Sequence, residues 1–153
     1  MDEKTIIVQW GGKTIIDNID DSNGKEDYGL YQIYGYHPVF RDNSLLYIGM
    51  AEEQTFEERL NQHQKTWLKE EYDITLYIGR ITSINRNEDF NDKEWSLVLK
   101  DSESLLIYFH SPPYNSQDIN KFPEPNMDLR IFNVGDSGDL YPELSHMGLR
   151  LYH

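Results

Sequence analysis

The strongest constraint on the fold is a helix-start signal at Thr55, which falls between segments that favour strands. Thr55 is followed three residues later by Glu58. This is the spacing of a capping box, in which each side chain bonds a free backbone N–H at the start of the helix. Apolar side chains that can share one buried face follow, so the signal predicts an amphipathic helix over residues 55–69.

A second helix is predicted over residues 95–109. Asn91 and Glu94 have the spacing of another cap in front of it, and Pro112 and Pro113 follow its end. Proline lacks the backbone N–H that a continuing helix needs, so this pair marks a stop.

Strand-like segments surround both helices. Residues 5–10 and 13–16 flank Gly11-Gly12 and predict a hairpin, and an acidic, turn-rich loop follows at residues 17–27. Residues 28–36 and 45–49 predict two strands, separated by turn-forming residues around Pro38 and Asp42-Asn43.

The third strand of this series is predicted at residues 72–81, and the tail adds further segments. These are a strand-like stretch at 129–134, a glycine-containing turn at 135–138 and a last apolar run at 149–152. The order of elements predicts one α/β or α+β domain over residues 1–153. We expect a small central antiparallel or mixed sheet, flanked by helices and with extra strands at both ends.

Composition narrows the class of protein. The chain has 153 residues, enough for one domain with a hydrophobic core, and no cysteine, which excludes disulfides and cysteine-based zinc sites. No run approaches the roughly 18–20 apolar residues needed to span a bilayer, and none at the start resembles a signal peptide. The expectation is a soluble, cytoplasmic protein that does not enter a membrane.

Charge limits the possible partners. Fourteen basic and 27 acidic residues give a formal net charge of −13. Affinity for a phosphate backbone comes largely from lysine and arginine, so tight non-specific binding to DNA is not expected. A nucleic-acid function then needs a local basic region, a protein partner or a homo-oligomer.

Two tripeptides nevertheless resemble the motif that names the GIY-YIG nuclease superfamily. They are Gly29-Leu30-Tyr31, in which leucine replaces isoleucine, and Tyr47-Ile48-Gly49. A further Tyr-Ile-Gly at residues 77–79 is interpreted as a decoy, because no Arg-His pair follows it on a helix. Its position fits the third strand.

Four more residues extend the resemblance. Arg59 comes ten residues after Gly49 on the predicted helix, and His63 is one turn further along the same face. Glu103 precedes an aliphatic run, and Asn115 lies in a Pro-Tyr-Asn sequence. The resemblance covers residues 28–116 and implies a GIY-YIG-like catalytic core with N- and C-terminal extensions.

The implied activity is hydrolysis of phosphodiester bonds by a metal-dependent endonuclease, with DNA as the expected substrate. A single carboxylate, here Glu103, can hold one Mg²⁺ or Mn²⁺ whose other ligands are water and substrate oxygens. The guanidinium of Arg59 suits a phosphate.

The remaining site residues have supporting roles in this hypothesis. The resemblance implies that Tyr31 helps to deprotonate or orient the attacking water, with the Tyr47 hydroxyl beside it. His63 can share the proton transfer, and Asn115 orients groups near the metal.

Two alternatives remain open at this stage. One is a catalytically silent GIY-YIG-fold module whose acidic surface faces a basic protein partner. The other is a nuclease subunit that gains its affinity for DNA from a partner or an oligomer. The six polar positions favour an enzyme, whereas the net charge of −13 favours the interaction module.

Overall fold

In a computed structural model of the chain, the described residues are 3–11, 14–15, 29–51, 74–83, 91–116 and 119–152. Within these ranges the chain forms seven strands and two helices. In chain order they are β1 (Lys4–Trp10), β2 (Thr14–Ile15), β3 (Gly29–His37), β4 (Arg41–Ala51), β5 (Thr75–Ser83), α1 (Asp92–His110), β6 (Leu129–Gly135), β7 (Glu143–Ser145) and α2 (His146–Tyr152).

The seven strands of the described residues form one mixed sheet. The strand order is β4-β3-β5-β1-β6-β7, and β2 pairs with β5. All neighbouring pairs are antiparallel except β1 and β6, which run parallel. The expected α/β class with a mixed sheet is confirmed, and strands from both ends of the chain are built into the sheet.

The predicted hairpin of residues 5–10 and 13–16 is wrong. Strands β1 and β2 form there, but each pairs with β5, with Trp10 opposite Gly79 and Thr14 opposite Leu76. Gly11 does not reverse the chain. Its N–H donates to the Ile78 carbonyl at 2.9 Å, so the segment after β1 continues along β5.

Helix α1 forms as its cap predicts. The Asn91 side chain accepts a hydrogen bond from the Glu94 N–H at 2.9 Å, and the helix ends at Ser111, whose φ of 46° is left-handed. The predicted helix at residues 55–69 and the predicted loop at 17–27 lie outside the described residues.

The two faces of the sheet carry separate buried clusters. On one face, which we call the helix face, Leu30 of β3 and Ile48 of β4 pack with side chains of α1 such as Leu106. On the other, the tyrosine face, Tyr31 and Ile33 form a second cluster. Successive side chains of a strand point to opposite faces, so neighbours in β3 belong to different clusters.

In the C-terminal part, the strand predicted at residues 129–134 forms as β6, β7 forms where no strand was predicted, and the run at residues 149–152 is helical. It lies in α2, where Arg150 makes two hydrogen bonds to the carboxylate of the buried Asp128. A run of four residues is too short for periodicity to separate strand from helix. No helix among the described residues is long and apolar enough to cross a membrane.

Candidate active site

The two tripeptides of the motif meet directly in the sheet. Strands β3 and β4 are antiparallel neighbours, with Tyr31 opposite Gly49 and Ile33 opposite Tyr47. Tyr31 and Tyr47 therefore lie diagonally on the tyrosine face. Their rings are stacked, with centroids 6.1 Å apart and planes inclined by 26°. Tyr31 is 0% exposed and Tyr47 is partly buried, so solvent reaches Tyr47 more readily.

Gly49 makes room for both rings. A Cβ at this position would clash with Cζ and Oη of Tyr31 and would lie 2.8 Å from Cε1 of Tyr47. Real Cβ atoms essentially never approach other atoms so closely. The glycine of Tyr-Ile-Gly is therefore required by the packing of the two tyrosines.

The side chain of Asn115 hydrogen-bonds the outer edge of β4. Its Oδ1 accepts from the Ile48 N–H at 3.0 Å, and its Nδ2 donates to the Ile48 carbonyl at 2.9 Å. Next to it, the Tyr114 N–H donates to the Leu46 carbonyl at 2.9 Å. Asn115 is 6% exposed, so these bonds satisfy buried backbone groups of the edge strand.

Glu103 lies on α1 and is partly buried. Its neighbours at helical spacing, Leu99, Leu106 and Ile107, are buried in the cluster of the helix face. The tyrosine rings lie on the other face, so a contact between Glu103 and them has to pass around an edge or end of the sheet. That these groups line one pocket stays a prediction.

Arg59 and His63, the remaining predicted site residues, lie outside the described residues. The described residues thus bring together Tyr31, Tyr47 and Gly49 and join Asn115 to Ile48.

The candidate metal site rests on one carboxylate. The described part of the chain contains no group of three or more His, Cys, Asp or Glu side chains that could hold a metal ion. Glu103 alone suits Mg²⁺, which keeps several water ligands and needs one or two carboxylates from the protein. Zinc takes three or four protein ligands, which is more than Glu103 supplies by itself.

Two other histidines have structural roles. His110 bonds the Leu106 carbonyl through Nδ1 and accepts the Tyr141 N–H through Nε2, and burial lowers its pKa. His146 accepts the Leu129 N–H, and burial lowers the pKa of His146 to about 4. Both imidazoles are neutral at pH 7 and hold backbone groups in place.

Sequence reasoning missed the polar residues on the helix face of β3. Gln32 is 0% exposed and Tyr34 is 4% exposed, and the Tyr34 hydroxyl donates to the Gln32 side chain. A buried glutamine has no local signature, because its partners come from a distant turn; Gln32 Nε2 donates to the Ser137 carbonyl.

No family model, no curated protein and no solved structure matches this chain.

Proposed function

We propose that this protein is a metal-dependent endonuclease of the GIY-YIG type that hydrolyses phosphodiester bonds, with DNA as its substrate. The main observation in support is that Gly29-Leu30-Tyr31 and Tyr47-Ile48-Gly49 lie side by side on β3 and β4. Their tyrosines stack, and the glycine leaves the space that the two rings occupy. Two phenols are thereby held at fixed positions by rigid strands, which is how a catalytic constellation is preorganised.

The two tyrosines take different parts in the proposed reaction. Hydrolysis joins a water oxygen to phosphorus and breaks the bond to one sugar oxygen, so a proton must leave the water. The resemblance gives the attacking water to Tyr31, but Tyr31 is 0% exposed and Tyr47 is partly exposed, which supports giving this contact to the Tyr47 hydroxyl instead. Tyr31 then orients the ring of Tyr47 through the stack.

The other proposed roles follow from charge. Arg59 neutralises the phosphate, and His63 takes or returns a proton. Glu103 holds one Mg²⁺ or Mn²⁺, which when bound stabilises the negative charge that develops on the phosphate. Asn115 keeps the Tyr47-Ile48-Gly49 segment in position through both of its bonds to Ile48.

Affinity for free DNA is expected to be weak. The net charge is −13, and two arginines are already paired: Arg130 with Glu3 and Glu143, and Arg150 with Asp128. The 27 acidic residues outnumber the 14 basic ones, so the chain as a whole does not favour the displacement of counterions from a phosphate backbone. A protein partner or a second copy of the chain then supplies part of the affinity.

The test is nicking of supercoiled plasmid with Mg²⁺ or Mn²⁺ and with EDTA as a control. Glu103→Ala removes the proposed metal ligand and should abolish nicking. Arg59→Ala should lower the rate by roughly 10²–10⁵, the usual contribution of a group that stabilises charge in phosphoryl transfer. Glu124→Ala removes an equal charge from an exposed position and should leave the rate unchanged.

The outcomes separate this proposal from the second candidate. Nicking that persists in Glu103→Ala means a different site or a contaminating nuclease. The net charge of −13 favours the second candidate, a silent module whose acidic surface faces a basic protein. No cleavage of any DNA or RNA by the unmodified chain, together with a stable complex with a basic protein, would establish that module.

A further inference from the structure

A small polar pocket lies beside Tyr34 on the helix face of the sheet. Its volume is about 140 Å³, enough for one small polar group and too little for a nucleotide. The lining residues come from strands β3, β4 and β5 and from the turn after β6. They are Tyr34, Asn43, Thr75, Tyr77, Gly138 and Asp139.

The walls of the pocket are fixed by hydrogen bonds. The buried Tyr34 hydroxyl donates to Gln32 Oε1 and accepts the Asp139 N–H at 2.8 Å. Gln32 Nε2 donates to the Ser137 carbonyl at 3.1 Å, which holds the turn from its other side. Gly138 has a φ of +61° and lies against the Tyr34 hydroxyl, so a Cβ there would clash with that oxygen. A ligand would thus meet a preformed site and would not have to order this turn.

The pocket carries uncompensated negative charge. Asp139 lines it, and Asp136 begins the same turn. Within the described residues neither carboxylate has an ion-pair partner. Burial first, and then both carboxylates, raise the pKa of the Tyr77 phenol, which is consistent with a negative field at this phenol. The phenol therefore stays neutral and does not oppose a cation.

Two aromatic rings complete the environment of the pocket. Tyr34 and Tyr77 meet edge to face, with ring centroids 5.1 Å apart. The face of a tyrosine ring attracts a cation, and a carboxylate accepts charged hydrogen bonds from N–H donors. A divalent metal suits the pocket less well, because no group of three His, Cys, Asp or Glu ligands is present in the described part of the chain.

We propose that this pocket binds a guanidinium or alkylammonium group. The carboxylate of Asp139 accepts its N–H donors, and Tyr34 and Tyr77 contact its flat or apolar part. The proposal does not depend on the nuclease activity, because neither Asp139 nor Tyr77 belongs to the proposed catalytic site.

The experiment is an NMR titration of the full-length, ¹⁵N-labelled protein with methylguanidinium, far below denaturing concentrations. The expected result is a saturable shift of the backbone amide signals of Thr75, Tyr77, Gly138 and Asp139. N-methylurea has nearly the same shape and no charge, and it should shift these signals little. Equal saturable shifts with both compounds, or none with methylguanidinium, would overturn the proposal.

Two isosteric variants locate the binding charge. Asp139→Asn keeps the backbone N–H that bonds Tyr34 and removes one negative charge, so affinity should fall by about tenfold. Glu124→Gln makes the same change of charge at an exposed position and should bind as the unmodified chain does. Equal weakening in both variants means non-specific attraction to an acidic protein and counts against the pocket.

Two further arms identify the source of the cation. If acetyl-Gly-Arg-Gly-amide binds the same residues more tightly than methylguanidinium, the ligand is an arginine side chain of a protein. If it binds no better, the ligand is a free small cation. A titration with Mg²⁺ that saturates the same signals before methylguanidinium does would make the pocket a metal site and refute the proposal.

Discussion

Two strands of this protein carry the same tripeptide, Tyr-Ile-Gly, and both pair with β3. In β4, Gly49 stands opposite Tyr31 and Tyr47 opposite Ile33. In β5, Gly79 stands opposite Leu30 and Tyr77 opposite Gln32. The two registers thus differ by one residue of β3. Because side chains alternate between faces, that offset places Tyr47 on the tyrosine face and Tyr77 on the helix face.

The two glycines therefore make room for different neighbours. Gly49 accommodates the rings of Tyr31 and Tyr47. Gly79 accommodates core side chains, since a Cβ there would lie 2.7 Å from Cγ1 of Val8 and 2.9 Å from the ring of Trp10. Gly49 leaves room for two tyrosine rings, whereas Gly79 allows strand β1 to pack closely against β5.

The backbones of the two tripeptides are also held differently. Strand β5 is interior, and the Ile78 carbonyl accepts the N–H of Gly11 in the neighbouring segment. Strand β4 is at the edge, and both outer groups of Ile48 bond to the side chain of Asn115. Identical local sequence thus acquires a candidate functional role in one strand only, through register and position in the sheet.

The largest difference is expected between Gly49→Ala and Gly79→Ala. Each adds one methyl group in a tightly packed position, so each should lower the free energy of unfolding by about 1–3 kcal/mol. Only Gly49→Ala displaces the tyrosine pair, and a displacement of about 1 Å can lower a catalytic rate by roughly a hundredfold.

Urea unfolding gives the stability of these two variants, and plasmid nicking per folded molecule gives their activity. Gly79→Ala is the matched control, because its clash is with Val8 and Trp10. Equal loss of nicking in both variants would mean that the tyrosine pair has no special part in the reaction.

The second comparison is between Tyr47→Phe and Tyr77→Phe, and its expected effect on the rate is similar to that of the first. Both retain the ring and remove one hydroxyl. If Tyr47 contacts the attacking water, its loss should lower the nicking rate by about 10²-fold, the lower end for a proton-transfer group. Tyr77→Phe should nick at the unmodified rate. Equal nicking rates in the two variants would contradict a role for the Tyr47 hydroxyl in the reaction.

A third test concerns the edge of β4. Asn115→Ala leaves the N–H and carbonyl of Ile48 without their partner, which should cost about 1–3 kcal/mol of stability. Nicking should also fall, because Tyr47 and Gly49 flank Ile48. The control is Ser116→Ala, the next residue, which is exposed. Unchanged stability in Asn115→Ala would show that water replaces the amide at this edge.

Features set by local chemistry could be predicted from the sequence. The Asn91 cap depends on a residue three positions away, and helix α1 begins where that cap indicates. The strands containing the two motif tripeptides also follow from local composition. The glycine of Tyr-Ile-Gly was identified by resemblance, although the reason for it, the volume of two rings, needs the structure.

Features set by distant partners could not be predicted. The alternation of β1 is the same whether it pairs with β2 or with β5 and β6, so Gly11-Gly12 favoured a local hairpin. The bond between Asn115 and Ile48 spans 67 positions, and the bond between Gln32 and Ser137 spans 105. Neither interval follows from the spacing of residue types.

The smallest expected effect is in the alkaline stability of the helix face. Burial first, and then Asp136 and Asp139, raise the pKa of Tyr77 above its ordinary value of 10.0. The folded state thus holds this proton more tightly than the unfolded chain does. The stabilising contribution of this raised pKa is complete below pH 10.0 and is lost as the pH rises above that value.

Tyr77→Phe removes the titrating group, so the free energy of unfolding of this variant should fall less between about pH 9 and about pH 11. Urea unfolding at several pH values measures the slope, and Tyr141→Phe, at an exposed position, should keep that of the unmodified chain. An unchanged slope in Tyr77→Phe would mean that neither burial nor the turn carboxylates raise the pKa of this phenol. A reduced slope would support a phenol held neutral on the helix face, in contrast to the proton-transfer role proposed for Tyr47.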